Sequence, residues 1–181
     1  MALKIAVIVG SLRKASFNAQ LADALAALAP QGVSFERLQI DDLPLYNQDD
    51  DNDQPAAARR LKKAIRDADG VLFVTPEYNR SLPGVLKNAI DHGSRPYGDS
   101  AFAGKPAGII GVSVGAIGSA CAQQHLRTVL AYLDMPTLGQ PEAFLKADSA
   151  LGKDGSLADG SRDFVQTWLG AYIAWVKRFE A

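Results

Sequence analysis

The chain has 181 residues, 48% of them hydrophobic and 22% charged, which is long and apolar enough for one domain with a real core, and residues 1–181 are read as a single unit. Lys plus Arg total 19 against 20 for Asp plus Glu, and the net charge of -1 excludes whole-chain attraction to nucleic acid or an anionic membrane, so any anion site must be local. One cysteine, Cys121, excludes an internal disulfide, and with two histidines it makes no zinc ligand set, which implies a reducing, metal-free setting. The apolar run over residues 5–9 is too short for a secretory segment, and no stretch approaches the ~20 apolar residues of a membrane helix. The expectation is a cytoplasmic chain with no membrane or nucleic-acid partner.

In chain order, short β-branched runs alternate with longer segments of helical period. Residues 3–9 form the first predicted strand, and Leu21, Ala24, Leu25 and Leu28 mark the apolar stripe of a helix after it. A second strand over residues 34–40 is followed by a polar loop over 47–55 and a helix marked by Leu61 and Ile65. The third strand covers 70–75 and precedes the stripe Leu82, Val85, Leu86 and Ala89; the fourth covers 107–112 and precedes Leu126, Val129, Leu130 and Leu133. A weaker fifth strand falls at 135–138, residues 147–160 read as a Gly/Asp/Ser-rich surface loop, and Val165, Trp168, Leu169, Tyr172 and Val176 mark a closing helix. Five βα units predict an α/β fold: a doubly wound, five-stranded parallel sheet of flavodoxin-like order 2-1-3-4-5 with helices on both faces. On such a sheet ligands sit at the carboxyl ends of the strands near the switch between strands 1 and 3, which directs attention to the loops after Val9, Val74 and Val112.

The first loop runs from Gly10, which permits a tight turn, through Ser11, Arg13, Lys14 and Ser16 to Asn18 at the start of a helix over 19–28. Free N–H groups, a helix dipole, hydroxyls and a forked guanidinium suit a phosphate. The spacing matches neither G-x-G-x-x-G nor a P-loop, which favours a single terminal phosphate over a dinucleotide. The same residues also make an ordinary helix cap beside solvated cations. In the second loop, TPEYNRSLPG over 75–84, Pro76 and Pro83 stiffen a segment whose Tyr78, Asn79 and backbone donors could edge a flat heteroaromatic ring. There Tyr78 could equally be a lid on the core, with Pro83 opening the helix over 84–91. The third loop, SVGAIGSACAQQHLR, is on its own terms a glycine-bearing strand-to-helix turn. Asp49, Asp50 and Asp51 read as a solvated loop.

GSLRKASFN together with PEYNRSLPGVLKNAID resembles the NADPH-dependent FMN reductase family, most closely its bacterial quinone and chromate reductase branch, and the resemblance covers nearly the whole chain. It implies tightly held FMN, homodimers or homotetramers, and electron transfer from NADPH or NADH to small-molecule acceptors: quinones, flavins, azo compounds or metal oxyanions such as chromate. It implies that Ser11, Arg13, Ser16, Phe17 and Asn18 bind the FMN phosphate, that Pro76, Glu77, Tyr78 and Asn79 line the ring, and that Ser113 and Gly115 approach it. Arg80 is a candidate for the NADPH 2′-phosphate. His92, Ser119 and Cys121 depart from the family pattern, where tryptophan, a second glycine and arginine are common, which bears on substrate choice and subunit contacts.

On this reading the protein needs no catalytic acid, nucleophile or metal, because the flavin carries the hydride chemistry at N5 and the two substrates react in ping-pong order. Backbone N–H groups near residues 77–79 would stabilise charge at the ring's pyrimidine edge. Glu77 is the one acidic residue of that loop, and its side chain could as well face solvent. Two other classes share the fold: a flavodoxin-like electron carrier, and a flavin- or nucleotide-binding module without NAD(P)H turnover. Arg127 and Glu142 are candidate subunit contacts.

Overall fold

In the computed structural model, which describes residues 2–180, five strands form one sheet: β1 (Leu3–Val9), β2 (Val33–Arg37), β3 (Gly70–Val74), β4 (Ala107–Ser113) and β5 (Phe144–Lys146). Their order is β2-β1-β3-β4-β5 and every pairing is parallel, as the alternation of strand and helix predicts. Central strands of a parallel sheet are covered on both faces and so must be apolar throughout; all of β3, Gly-Val-Leu-Phe-Val, is buried.

The two-residue period of the strands divides the core. Val7, Val9, Leu72, Val74, Ile110 and Val112 pack with α1 (Phe17–Ala27) and α6 (Asp159–Lys177) on one face. Ala6, Ile8, Val71, Phe73 and Ile109 pack with α2 (Ala56–Arg66), α3 (Gly84–Gly93) and α4 (Ala120–Tyr132) on the other. The α6 stripe anticipated from the sequence, Val165 to Val176, is buried, with Trp168 and Tyr172 stacked at 5.7 Å between ring centroids.

Most boundaries differ from the sequence expectation by a residue or two, and three segments differ by more. The fifth strand is not at 135–138. Thr137 makes only an isolated bridge to Ala107, through Ala107 N–H to Pro136 O and Leu138 N–H to Ala107 O, each 2.9 Å. The chain then leaves the sheet and returns as β5 beside Gly111, Val112 and Ser113. Pro136 and Pro141 have no N–H to donate, so this edge cannot run as one continuous ladder. The stretch 147–160 is not wholly a surface loop either: α5 (Ala147–Ala150) and a Leu151 to Leu157 bridge bury Ala147, Ala150, Leu151 and Leu157 among its polar residues. Finally, β2 ends at Arg37, although Leu38 N–H still bonds Val7 O at 2.9 Å and Leu38 and Ile40 remain buried. No helix among the described residues is long and apolar enough to cross a membrane.

Candidate functional site

The loops after β1, β3 and β4 meet at the carboxyl end of the sheet around a cleft of about 210 Å³. Ser11, Arg13, Ser16, Phe17 and Asn18 form one side, Pro76, Glu77 and Tyr78 a second, and Val112, Ser113 and Val114 the third. Lys14, Asn79, Arg80 and Gly115 lie outside that lining. A larger groove of about 410 Å³, between α1 and Asp154 to Leu157, contains none of the candidate binding residues of the three loops.

Ser16 caps α1: its backbone is extended (φ −70, ψ 122), and its Oγ accepts from Ala19 N–H at 3.2 Å. Gln20 N–H is taken by Ser16 O at 3.1 Å, while the N–H groups of Phe17 and Asn18 have no partner among the described residues. Two free donors at the positive end of a helix, facing hydroxyls and a guanidinium, make an anion seat. Arg13 is exposed and held over the Phe17 ring at 4.7 Å from the centroid.

Asn18 has a different occupation from the one its residue type suggests. Its buried amide donates through Nδ2 to Val112 O at 2.8 Å and accepts through Oδ1 from Val112 N–H at 3.1 Å. Both ends of the side chain are committed to β4, so only its backbone N–H is free to meet a ligand. Gly10 also corrects its expectation, because it does not take a left-handed turn. A Cβ there would stand 2.9 Å from Thr75 Oγ1 and 3.2 Å from Leu86 Cδ2, so glycine is needed for the close approach of the β1 and β3 loops.

The second loop is a tight hairpin. Tyr78 and Ser81 exchange N–H to O bonds of 3.0 Å, with Asn79 (φ 50) and Arg80 (φ 64) both left-handed, the pattern of a two-residue type I′ turn. Tyr78 stands half exposed at the mouth of the cleft, and Asn79 and Arg80 form the exposed tip. Glu77 does not face solvent: its Oε2 accepts from Cys121 N–H at 2.9 Å and Ala122 N–H at 3.2 Å, capping α4 from a distant loop. The one carboxylate of the cleft is therefore engaged with a helix end. His125 Nδ1 lies 3.0 Å from Ser81 Oγ and ties the same hairpin to α4.

In the third loop Ser113 lines the cleft and donates to Gly115 O at 3.3 Å. Gly118 is left-handed (φ +56), and a Cβ there would stand 2.4 Å from the Phe144 carbonyl carbon. Ser119 keeps the left-handed backbone (φ 70) that a glycine would supply, and its buried Oγ accepts from Gln123 Nε2 at 3.1 Å. His92 is buried away from the cleft, 2.8 Å from Pro44 O through Nε2 and edge-on to Tyr46. Arg127 and Glu142, read as subunit contacts, pair with each other at 3.5 Å inside the chain, and Arg127 also donates to Leu138 O.

Val112 and Val114 are the lining residues that sequence reasoning missed. Val112 carries only a core-strand signal, whereas Val114, exposed directly after a buried strand, was a detectable oddity. Taken together, the cleft has an anion-binding end of hydroxyls and free N–H groups and an apolar body closed by Tyr78, Val112 and Val114. That is the donor set a phosphorylated, flat heteroaromatic cofactor requires.

The family model for NADPH-dependent FMN reductase matches residues 3–149. A 2-hydroxy-1,4-benzoquinone reductase of Burkholderia sp is 58% identical over 179 residues, 98% of each chain. A quinone reductase of Pseudomonas putida is 50% identical over 175 residues, 96% of this chain and 94% of that one. Among solved structures, a flavoenzyme NAD(P)H:(acceptor) oxidoreductase from Paracoccus denitrificans superposes with a TM-score of 0.91 at 43% identity, covering 98% of each chain. With the sheet order, the cleft and these matches in agreement, the chain belongs to the NADPH-dependent FMN reductase family, oxidoreductases that carry FMN and draw on NAD(P)H.

Proposed function

We propose that this protein reduces quinones at the expense of NAD(P)H through FMN held in the three-loop cleft. The observation that carries the reading is the pairing of an anion seat at the Ser16 cap with an apolar cleft body, in a chain 58% identical to a 2-hydroxy-1,4-benzoquinone reductase. Bound FMN supplies the hydride-accepting and electron-donating chemistry.

The chain's own residues bind and orient. Ser11, Arg13 and Ser16, with the backbone N–H groups of Phe17 and Asn18, hold the phosphate. Pro76, Glu77, Tyr78 and Asn79 present the hairpin backbone to the ring edge, Ser113 and Gly115 face it from the third loop, and Tyr78, Val112 and Val114 exclude water. On this reading no side chain of the cleft serves as acid or nucleophile, because the flavin carries the chemistry and the protein positions and tunes it. One open mouth serves both substrates in turn, which gives ping-pong kinetics. Arg80, exposed at the hairpin tip, meets the 2′-phosphate of NADPH; equal catalytic efficiency with NADPH after Arg80→Ala would overturn that assignment. Free flavins, azo compounds and chromate are secondary acceptors of the same exposed site. The protein works in the cytoplasm as a homodimer or homotetramer.

The test is a visible spectrum of the purified protein taken anaerobically before NADPH, after NADPH and after a quinone. A flavin band bleached by NADPH and restored by quinone supports the reading. Bound flavin that NADPH leaves oxidised points to a carrier or sensor, and a chain that takes up no FMN removes the cofactor site.

A further inference from the structure

We infer that Glu77 is the positioning residue of the cofactor cleft: by capping α4, its carboxylate sets where the hairpin over residues 76–81 presents its backbone to the flavin. The inference rests on the reading that the cleft holds FMN.

The argument begins at α4, which has no local cap. Its N-cap residue, Ser119, is left-handed and makes no side-chain bond to the helix amides; its Oγ instead accepts from Gln123. Ala120 N–H bonds Ile117 O at 3.0 Å, and the next two donors of the first turn are met from outside by one oxygen, since Glu77 Oε2 takes both Cys121 N–H and Ala122 N–H. A carboxylate at that end is also favoured by the helix dipole.

The hairpin gains as much as the helix. A two-residue hairpin is marginal by itself, and this one places two side-chain-bearing residues, Asn79 and Arg80, in the left-handed region. It is held instead by docking on α4 at two points, Glu77 at Cys121 and Ala122, and Ser81 at His125 one turn further along. Between those points lie Tyr78, at the cleft mouth, and the backbone N–H groups next to it. Release of Glu77 would leave α4 uncapped and the ring-lining backbone free to tilt, with the phosphate end unaffected, because Ser16 and Asn18 are anchored independently to α1 and β4.

Since a single oxygen does the capping, the amide oxygen of glutamine can replace it and alanine cannot. The experiment titrates FMN into the flavin-free full chain, reading fluorescence quenching and the visible band of the bound flavin, for wild type, Glu77→Gln, Glu77→Ala and Ser81→Ala. Glu77→Ala should weaken FMN binding about tenfold, less than the full worth of two hydrogen bonds to a charged group because neither bond touches the ligand and most of their loss falls on the fold, and should alter quenching and band shape. Glu77→Gln should stay within about threefold of wild type, because it restores the acceptor without the charge. Ser81→Ala, a change at a half-buried position that leaves the α4 cap in place, should weaken binding by a smaller factor, about threefold. A merely structural role would lower the melting temperature of the flavin-free chain and leave affinity and band shape unmoved. Wild-type affinity and spectrum in Glu77→Ala overturn the inference, as does glutamine behaving like alanine. If Glu77→Ala does not fold, wild-type binding in Ser81→Ala overturns it. Failure of the wild-type chain to bind FMN at all removes the site reading itself, and the inference with it.

Discussion

Asn18 and Arg13 stand side by side at the anion seat and do different work. Asn18 spends its amide on the two backbone groups of Val112, both buried. Asn18→Ala leaves those groups unpaired, and urea denaturation should show a loss of about 3 kcal/mol, since each buried unsatisfied group costs on the order of 1–3 kcal/mol. A loss near zero would show that the clasp does not support the fold. Arg13 is exposed and stands over the Phe17 ring. Arg13→Ala should leave the unfolding midpoint unchanged and weaken FMN binding about tenfold, the worth of one charge-assisted hydrogen bond to a phosphate. Urea denaturation and isothermal titration together test the two expected roles, stability for Asn18 and ligand binding for Arg13.

At the scale of elements, the hairpin and the edge strand show where backbone geometry is under constraint. Arg80 sits at φ 64, in a turn whose second central position favours glycine. Arg80→Gly should raise stability by about 1 kcal/mol, the cost of a left-handed residue with a Cβ, and a urea titration reads it directly. If Arg80 also meets the 2′-phosphate, the same variant raises KM for NADPH and leaves KM for NADH unchanged. Gly118 is the opposite case. It is left-handed and its Cβ position lies 2.4 Å from the Phe144 backbone, so Gly118→Ala must push β5 away from the third loop. That variant should lower the melting temperature and reduce amide-exchange protection in β5.

For the molecule as a whole, acid stability rests on pairs that join elements. Asp99 is held below the usual carboxylate range, first by its hydrogen bond to Lys62 and then by that to Arg66; Asp42 is held down by Arg60. A carboxylate whose folded pKa is depressed contributes stability above its unfolded pKa of about 3.9, and that stability is lost as pH falls through the lower folded value. The melting temperature should therefore fall below about pH 4, by a modest amount because Asp99 is half exposed and solvent screens its pairs. Asp99→Asn should flatten that acid limb. It should also lower stability at neutral pH, since Lys62, buried on α2, loses its charged partner and keeps only Arg95 O and Gln54. Tyr172 works at the other end of the scale. Burial raises its pKa well above the ordinary value, so stability falls as pH rises past about 10, where the unfolded phenol ionises and the folded one does not.

By itself the sequence determined the strand and helix alternation, the order of the sheet, the two apolar faces and the loops that carry the chemistry. The elements and their apolar faces follow from periodicities that close within a helical turn or a few strand residues, and so are written locally, while the sheet order follows from the succession of βα units. It was least informative at the sheet's edge, where Met135 and Leu138 are buried like strand residues although prolines break the ladder. Tertiary structure alone decided what the polar side chains of the cleft do. Glu77 finds its amides 44 residues along the chain and Asn18 finds Val112 94 residues away. A carboxylate or amide in a loop can satisfy any free backbone donor that the fold brings near it. Which donors are left over is known only once the helices have their ends and the strands their neighbours.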